Sequence, residues 1–185
     1  YPALETDIET FQDDGVVLIR GAFSDWVDAL RAGLERNLKN PEQFAFPCES
    51  IPPGGQGRFF DSYCNWHRIP EYTAYLRESS AASMAGQFMK SNSAQFFHEH
   101  VFSKDPGTQA ATPWHHDLPY WPFRGNHIAS VWLALTPVDQ ETSGVVYIAG
   151  SHKWGKFYRA VTQDQDTKFS ADSLEECPEF HKEFH

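Results

Sequence analysis

Apolar positions recur along this chain with two different periods, and the change of period divides it. Thr6-Asp7-Ile8-Glu9 has the form of a capping box, with Thr6 accepting from the third helical amide and Glu9 reaching back. The spacing predicts a short helix ending near Asp13-Asp14-Gly15, then a strand over the β-rich run Val16-Val17-Leu18-Ile19-Arg20. Ser24 is placed to cap a second helix, whose Val27, Leu30, Leu34 and Leu38 repeat at helical spacing until Asn40-Pro41 stops it. Ile51 to Gly57 is a loop by composition, and Arg58 to Tyr63 has the alternation of a strand. Pro70 opens a third helix, because the first helical position needs no amide hydrogen. A further helical piece carries Ala81, Met84, Ala85 and Phe88 on one side, as core packing.

From Ala94 onward helical spacing gives way to strand-like runs. Ala94 to Lys104 reads as a long strand, with Phe96, His98, His100 and Phe102 on one face. His98 and His100 point together there, which invites a metal reading. The simpler reading is a strand buried on both faces whose polar residues line a cavity. Lys104-Asp105-Pro106-Gly107 turns the chain, Ile128 to Thr136 is a strongly apolar strand, and Val145 to Ile148 another. Strands at short intervals between Gly/Pro turns suggest an antiparallel sandwich or barrel. Residues 156–185 are charged and irregular, a surface excursion or lid.

A length of 185 residues fits one domain, and 15% aromatic residues with 12 Gly and 12 Pro suits short strands around a bulky interior. The formal net charge of −10 argues against a general nucleic-acid surface, which needs basic clusters. It also mildly disfavours steering of a large polyanion, though one local cation could hold a small anion. Cys48, Cys64 and Cys177 show no metal-type spacing and read as thiols of a reducing, cytoplasmic compartment. No apolar run approaches the ~20 residues of a membrane-spanning helix. The chain opens on Tyr1 and closes on Phe180 to His185 without a finishing turn, so it reads as processed or trimmed.

The candidate chemistry lies in Trp114-His115-His116-Asp117-Leu118-Pro119-Tyr120-Trp121. On extended backbone, residues i and i+2 share a face, so His115 and Asp117 converge while His116 turns away. An imidazole nitrogen and a carboxylate at one point are two thirds of the facial triad of non-haem Fe(II) oxygenases.

Several pieces, in order, resemble the phytanoyl-CoA dioxygenase family of Fe(II)- and 2-oxoglutarate-dependent oxygenases. They are Phe11-x-x-Asp14-Gly15-Val16-Val17 with Arg20-Gly21, Lys104-Asp105-Pro106-Gly107, Trp114 to Arg124, Trp132, Ser143-Gly144 and Gly150-Ser151-His152-Lys153. The resemblance spans residues 8–155. It implies a mainly β fold, a double-stranded β-helix (a cupin-like jelly roll) with N-terminal flanking helices, as a single domain over 1–185. It implies Fe(II) held by His115 and Asp117, and 2-oxoglutarate held with contributions from His100, Trp132, Lys104 and Arg58. It also implies a small organic substrate and O₂ as partners, hydroxylation of a C–H bond, and release of succinate and CO₂.

One departure stands out. The family's third iron ligand is a histidine on a late strand, followed by an arginine for the far carboxylate of 2-oxoglutarate. Only 33 residues follow His152, their text does not resemble that segment, and neither His181 nor His185 is followed by Arg. The expectation is that the C-terminal strands are missing and the third histidine lies beyond His185. His152, seven residues before Arg159, is the alternative within the chain. A cupin-type metal protein without oxygenase activity, and a non-catalytic relative with a binding role, are the competing classes.

Overall fold

A computed structural model describes residues 2–41, 57–108, 111–160 and 174–180. Most of the loop expected over 51–57, much of the C-terminal excursion, and His181 and His185 lie outside the described residues. The chain divides into two compact units. One is Tyr1–Ala110 with Ala129–Ser151, and the other is Ala111–Ile128 with His152–His185.

In the first unit, helix α1 (Glu5–Asp14) begins one residue before Thr6, so the capping-box expectation is corrected. Its N-cap is Leu4, in extended conformation and without a side-chain cap. Its other end closes as the sequence predicts: Gly15 takes φ +77°, which a side chain would resist, and its N–H donates to the Phe11 carbonyl. Helix α2 (Val27–Lys39) follows a 3₁₀ turn at Ser24–Trp26 and stops before Asn40, as expected. Strand β1 (Phe59–Tyr63), helix α3 (Pro70–Glu78, with Pro70 in its first turn), helix α4 (Ala81–Phe88) and strand β2 (His100–Lys104) complete the order.

Helix α4 lies on α1, where the Phe11 and Phe88 rings meet at 5.4 Å and the Gln12 side-chain amide donates to the Phe88 carbonyl at 2.7 Å. Helices α2 and α3 approach closely because position 33 has no side chain: a Cβ on Gly33 would stand 2.7 Å from the Tyr72 ring. Their outer edge is tied by Arg36 and Glu71, whose two contacts measure 2.8 and 3.2 Å. An exposed pair of this kind is screened by water and adds little to stability. The core beneath consists of Leu30, Ile69 and Tyr72, with Trp26, Trp66, Tyr75, Val101, Leu133 and Leu135 packed against it. Strands β1 and β2 pair antiparallel with Phe59 opposite Lys104, Asp61 opposite Phe102 and Tyr63 opposite His100.

The expected mainly β double-stranded β-helix is overturned. Among the described residues there are four α-helices and a single two-stranded sheet. Alternation marks a segment that could pair, but a strand exists only where another backbone supplies its hydrogen bonds. Residues 16–19, 94–99, 128–134 and 144–148 join no ladder among the described residues. The 128–136 segment instead lays Leu133 and Leu135 on the helical core, where Arg31 Nε donates to the Leu135 carbonyl at 2.6 Å. Val131, Trp132, Val145, Val146 and Tyr147 are left exposed.

The second unit is mostly irregular. A 3₁₀ turn at Leu118–Tyr120 follows the His-x-Asp stretch, and Tyr158 bridges Glu175 in parallel fashion. Phe180 is buried between the rings of Trp114 (5.5 Å) and Trp154 (5.6 Å). No helix among the described residues is long and apolar enough to cross a membrane.

Candidate functional site

His115 and Asp117 converge, but not through strand geometry. The stretch is irregular, and Asp117 already has helical dihedrals (φ −75°, ψ −31°) at the head of the 3₁₀ turn, where its carbonyl accepts from Tyr120 N–H at 2.9 Å. That bend brings Asp117 Oδ1 to 3.4 Å from His115 Nε2. The other ring nitrogen, Nδ1, lies 2.9 Å from the Pro113 carbonyl. A carbonyl can only accept, so Nδ1 carries the hydrogen and Nε2 is left with its lone pair when the ring is neutral.

Two electron-rich atoms, Nε2 and a carboxylate oxygen, thus face one another, and this arrangement calls for a cation between them. A proton is one such cation: the hydrogen bond to Asp117 raises the His115 pKa above its ordinary value, against the opposing effect of burial. His116 behaves oppositely. Its Nε2 accepts the Tyr158 N–H at 2.9 Å beside the Phe157 and Tyr158 rings, and burial lowers its pKa. One imidazole is poised toward a cation, and its neighbour is held as a neutral acceptor tying two segments together.

The pair fits two positions of an iron(II) site. A ligating histidine whose second nitrogen donates to a backbone carbonyl is the usual arrangement around such metals. Among the described residues, no three His, Cys, Asp or Glu side chains are grouped to hold a metal ion, so His152 does not join the pair. His152 sits in the exposed 3₁₀ turn Ser151–Lys153.

The residues expected around 2-oxoglutarate belong to the first unit. Directly opposed residues of an antiparallel pair share a face, so His100 and Lys104 lie on one face with Phe59, Asp61, Tyr63 and Phe102. Lys104 Nζ sits 4.9 Å from the Phe59 ring centroid, and burial lowers its pKa. A partly desolvated cation of this kind suits a carboxylate ligand. Arg58 stacks its guanidinium over the Phe60 ring at 5.1 Å, two residues along, which assigns it to the opposite face. Trp132 is 46% exposed on the 128–136 segment.

Sequence reasoning missed Asp61, which is hydrogen-bonded to His100 Nε2 across the ladder. Its only trace was a lone acid in an otherwise aromatic alternating run, and the partner is 39 residues away. Glu99 was also missed. It accepts from the Asn65 N–H, and burial raises its pKa.

Comparison with curated proteins and with solved structures gives no match. The phytanoyl-CoA dioxygenase (PhyH) family matches residues 11–182, nearly the whole chain, in agreement with the His-x-Asp pair and the turns flanking it. The chain belongs to the phytanoyl-CoA dioxygenase family, and so to the oxygenase-type enzymes that in general depend on iron(II) and 2-oxoglutarate.

Proposed function

We propose that the protein hydroxylates a C–H bond of a small organic substrate, with iron(II) held by His115 and Asp117 and 2-oxoglutarate as cosubstrate. The observation that carries this reading is the anchored imidazole: Pro113 holds Nδ1–H, so Nε2 turns its lone pair toward the Asp117 carboxylate. With iron(II) and 2-oxoglutarate bound, O₂ activation would supply the oxidising power, with succinate and CO₂ as the by-products.

The chain's own residues do the holding. His115 contributes a neutral nitrogen, and Asp117 a negative charge that offsets part of the metal's. His116, neutral and engaged with Tyr158, keeps a competing nitrogen out of the site. Lys104 and His100 are assigned to the cosubstrate, Lys104 by its charge and His100 by its polar edge, with Trp132 as a wall. Arg58 is the remaining candidate cation. Iron would need a third protein ligand beside the pair to complete a facial triad. A reducing, cytoplasmic setting belongs to the same proposal, on the cysteine usage of the sequence.

Calorimetric titration with Mn(II), with and without 2-oxoglutarate, tests the reading. Cosubstrate binding that requires metal is expected, and so is its loss in Asp117→Ala together with iron-dependent succinate release. Succinate release by Asp117→Ala at the wild-type rate would sink the assignment, as would a wild-type protein that binds neither metal nor cosubstrate.

A further inference from the structure

We propose that Asp61 is a positioning residue: from β1 it locks the His100 ring on β2 in one tautomer and one orientation, presenting a fixed polar edge to the cosubstrate. The register puts Asp61 opposite Phe102 and His100 opposite Tyr63, so the carboxylate reaches the imidazole diagonally across the ladder. An ionised carboxylate only accepts, which assigns the hydrogen to Nε2 and leaves Nδ1 for a second partner.

The surroundings finish the restraint. The Phe102 ring centroid lies 4.0 Å from that of His100, Tyr63 meets it edge-on at 5.5 Å, and His98 stands at 6.4 Å. The Asp61 side chain is 16% exposed and that of His100 is 37% exposed. The carboxylate is therefore largely covered while the imidazole remains reachable, as expected of a scaffold group acting through a ligand-facing one. The Cβ–ring torsion of histidine is broad and roughly two-fold, so stacking alone would leave the two ring edges interchangeable. The hydrogen bond to Asp61 removes that degeneracy. With Lys104 further along the same face, the sheet then offers a point charge and an oriented polar edge, which suits a dicarboxylate better than either group alone.

The assignment of His100 to the cosubstrate rests on the proposed function, whereas the locking of its ring does not, and the experiment separates the two. Asp61→Asn keeps an oxygen able to accept from Nε2–H, and Asp61→Leu removes it. Long-range ¹H–¹⁵N correlation reports which His100 nitrogen carries the proton, and 2-oxoglutarate and Mn(II) titrations report binding. Wild type and Asp61→Asn should both show a proton-bearing Nε2. Asp61→Leu should lose that single tautomer and bind 2-oxoglutarate about three- to tenfold more weakly, the scale of one net hydrogen bond, with Mn(II) affinity unchanged. Should Asp61→Leu fail to fold by circular dichroism, Asp61→Ser, too short to reach the ring, takes its place. An unchanged tautomer in the Leu or Ser variant overturns the proposal, as does equal weakening of 2-oxoglutarate by Asn and Leu. If wild type binds no 2-oxoglutarate with metal present, the oxygenase reading falls, and the tautomer alone decides the role of Asp61.

Discussion

Replacing Asp117 with Asn removes one charge and little shape, and its consequence for His115 can be worked out from the pair's geometry. The two groups face each other at 3.4 Å with side chains 34% and 51% exposed. At that exposure the interior Coulomb value does not apply. Measured couplings between such groups run at about 0.2–1 kcal/mol. Loss of the carboxylate removes the largest influence that raises the His115 pKa, which should therefore fall in Asp117→Asn. The sign for stability follows from the raised value. The pair's contribution is fully present below the unfolded histidine value, near 6.5, and is lost as pH rises through the folded one. Metal-free Asp117→Asn should therefore be less stable than wild type by up to about 1 kcal/mol at acid pH near 5.5, and equally stable at pH 8. Proton NMR titration of the His115 ring, with urea denaturation at both pH values, reads these quantities. A His115 pKa that stays put or rises in the variant would show that Asp117 does not act on this ring, as would a stability loss larger at pH 8 than at pH 5.5.

Three further outcomes follow from the packing. Gly33→Ala brings a methyl group to 2.7 Å from the Tyr72 ring, which is only 5% exposed and has little room to move. Overpacking of about 1–3 kcal/mol should outweigh the roughly 1 kcal/mol gained in helix propensity, and a higher urea midpoint would contradict this. Ser62→Ala leaves the amides of buried Asn37 and Asn65 without the hydroxyl they share, at contacts of 3.2 and 2.5 Å. A loss of about 1–3 kcal/mol is expected in denaturant melts, and a neutral result would mean that water replaces the hydroxyl. Glu99→Gln keeps an oxygen for the Asn65 N–H but cannot ionise. Burial raises the Glu99 pKa, so its stabilising contribution is present below the unfolded value and lost as pH rises through the folded one. The variant should therefore melt above wild type at pH 7 and lose that advantage toward pH 4; a lower melting temperature at pH 7 would count against it.

What this chain determines by sequence alone is whatever is settled within a few residues. The α2 helix and its stop before Asn40, Pro70 at the head of α3 and Gly15 at the end of α1 are local matters of side-chain spacing, ring geometry and backbone freedom, and all three were legible. The convergence of His115 and Asp117 was legible too, because it needs only two near neighbours, and so was the family, whose match covers residues 11–182. Even there the mechanism of convergence was not: the pair meets through a 3₁₀ bend and a proline carbonyl rather than through strand alternation.

Tertiary structure decided everything that requires a distant partner. Alternation over Arg58–Tyr63 and Ala94–Lys104 announced two strands, and five residues of each pair. The strongly apolar run over 128–136 announced a strand too, but it produced a segment laid on helices, because pairing depends on which backbone arrives opposite. Asp61 acquired a role only when the register brought it to His100, and Gly33 only when Tyr72 came to rest against it. Helical spacing, caps and short motifs are local energies that a sequence carries openly. Ladder partners and cross-strand pairs are properties of chain closure, and no window of neighbouring residues contains them.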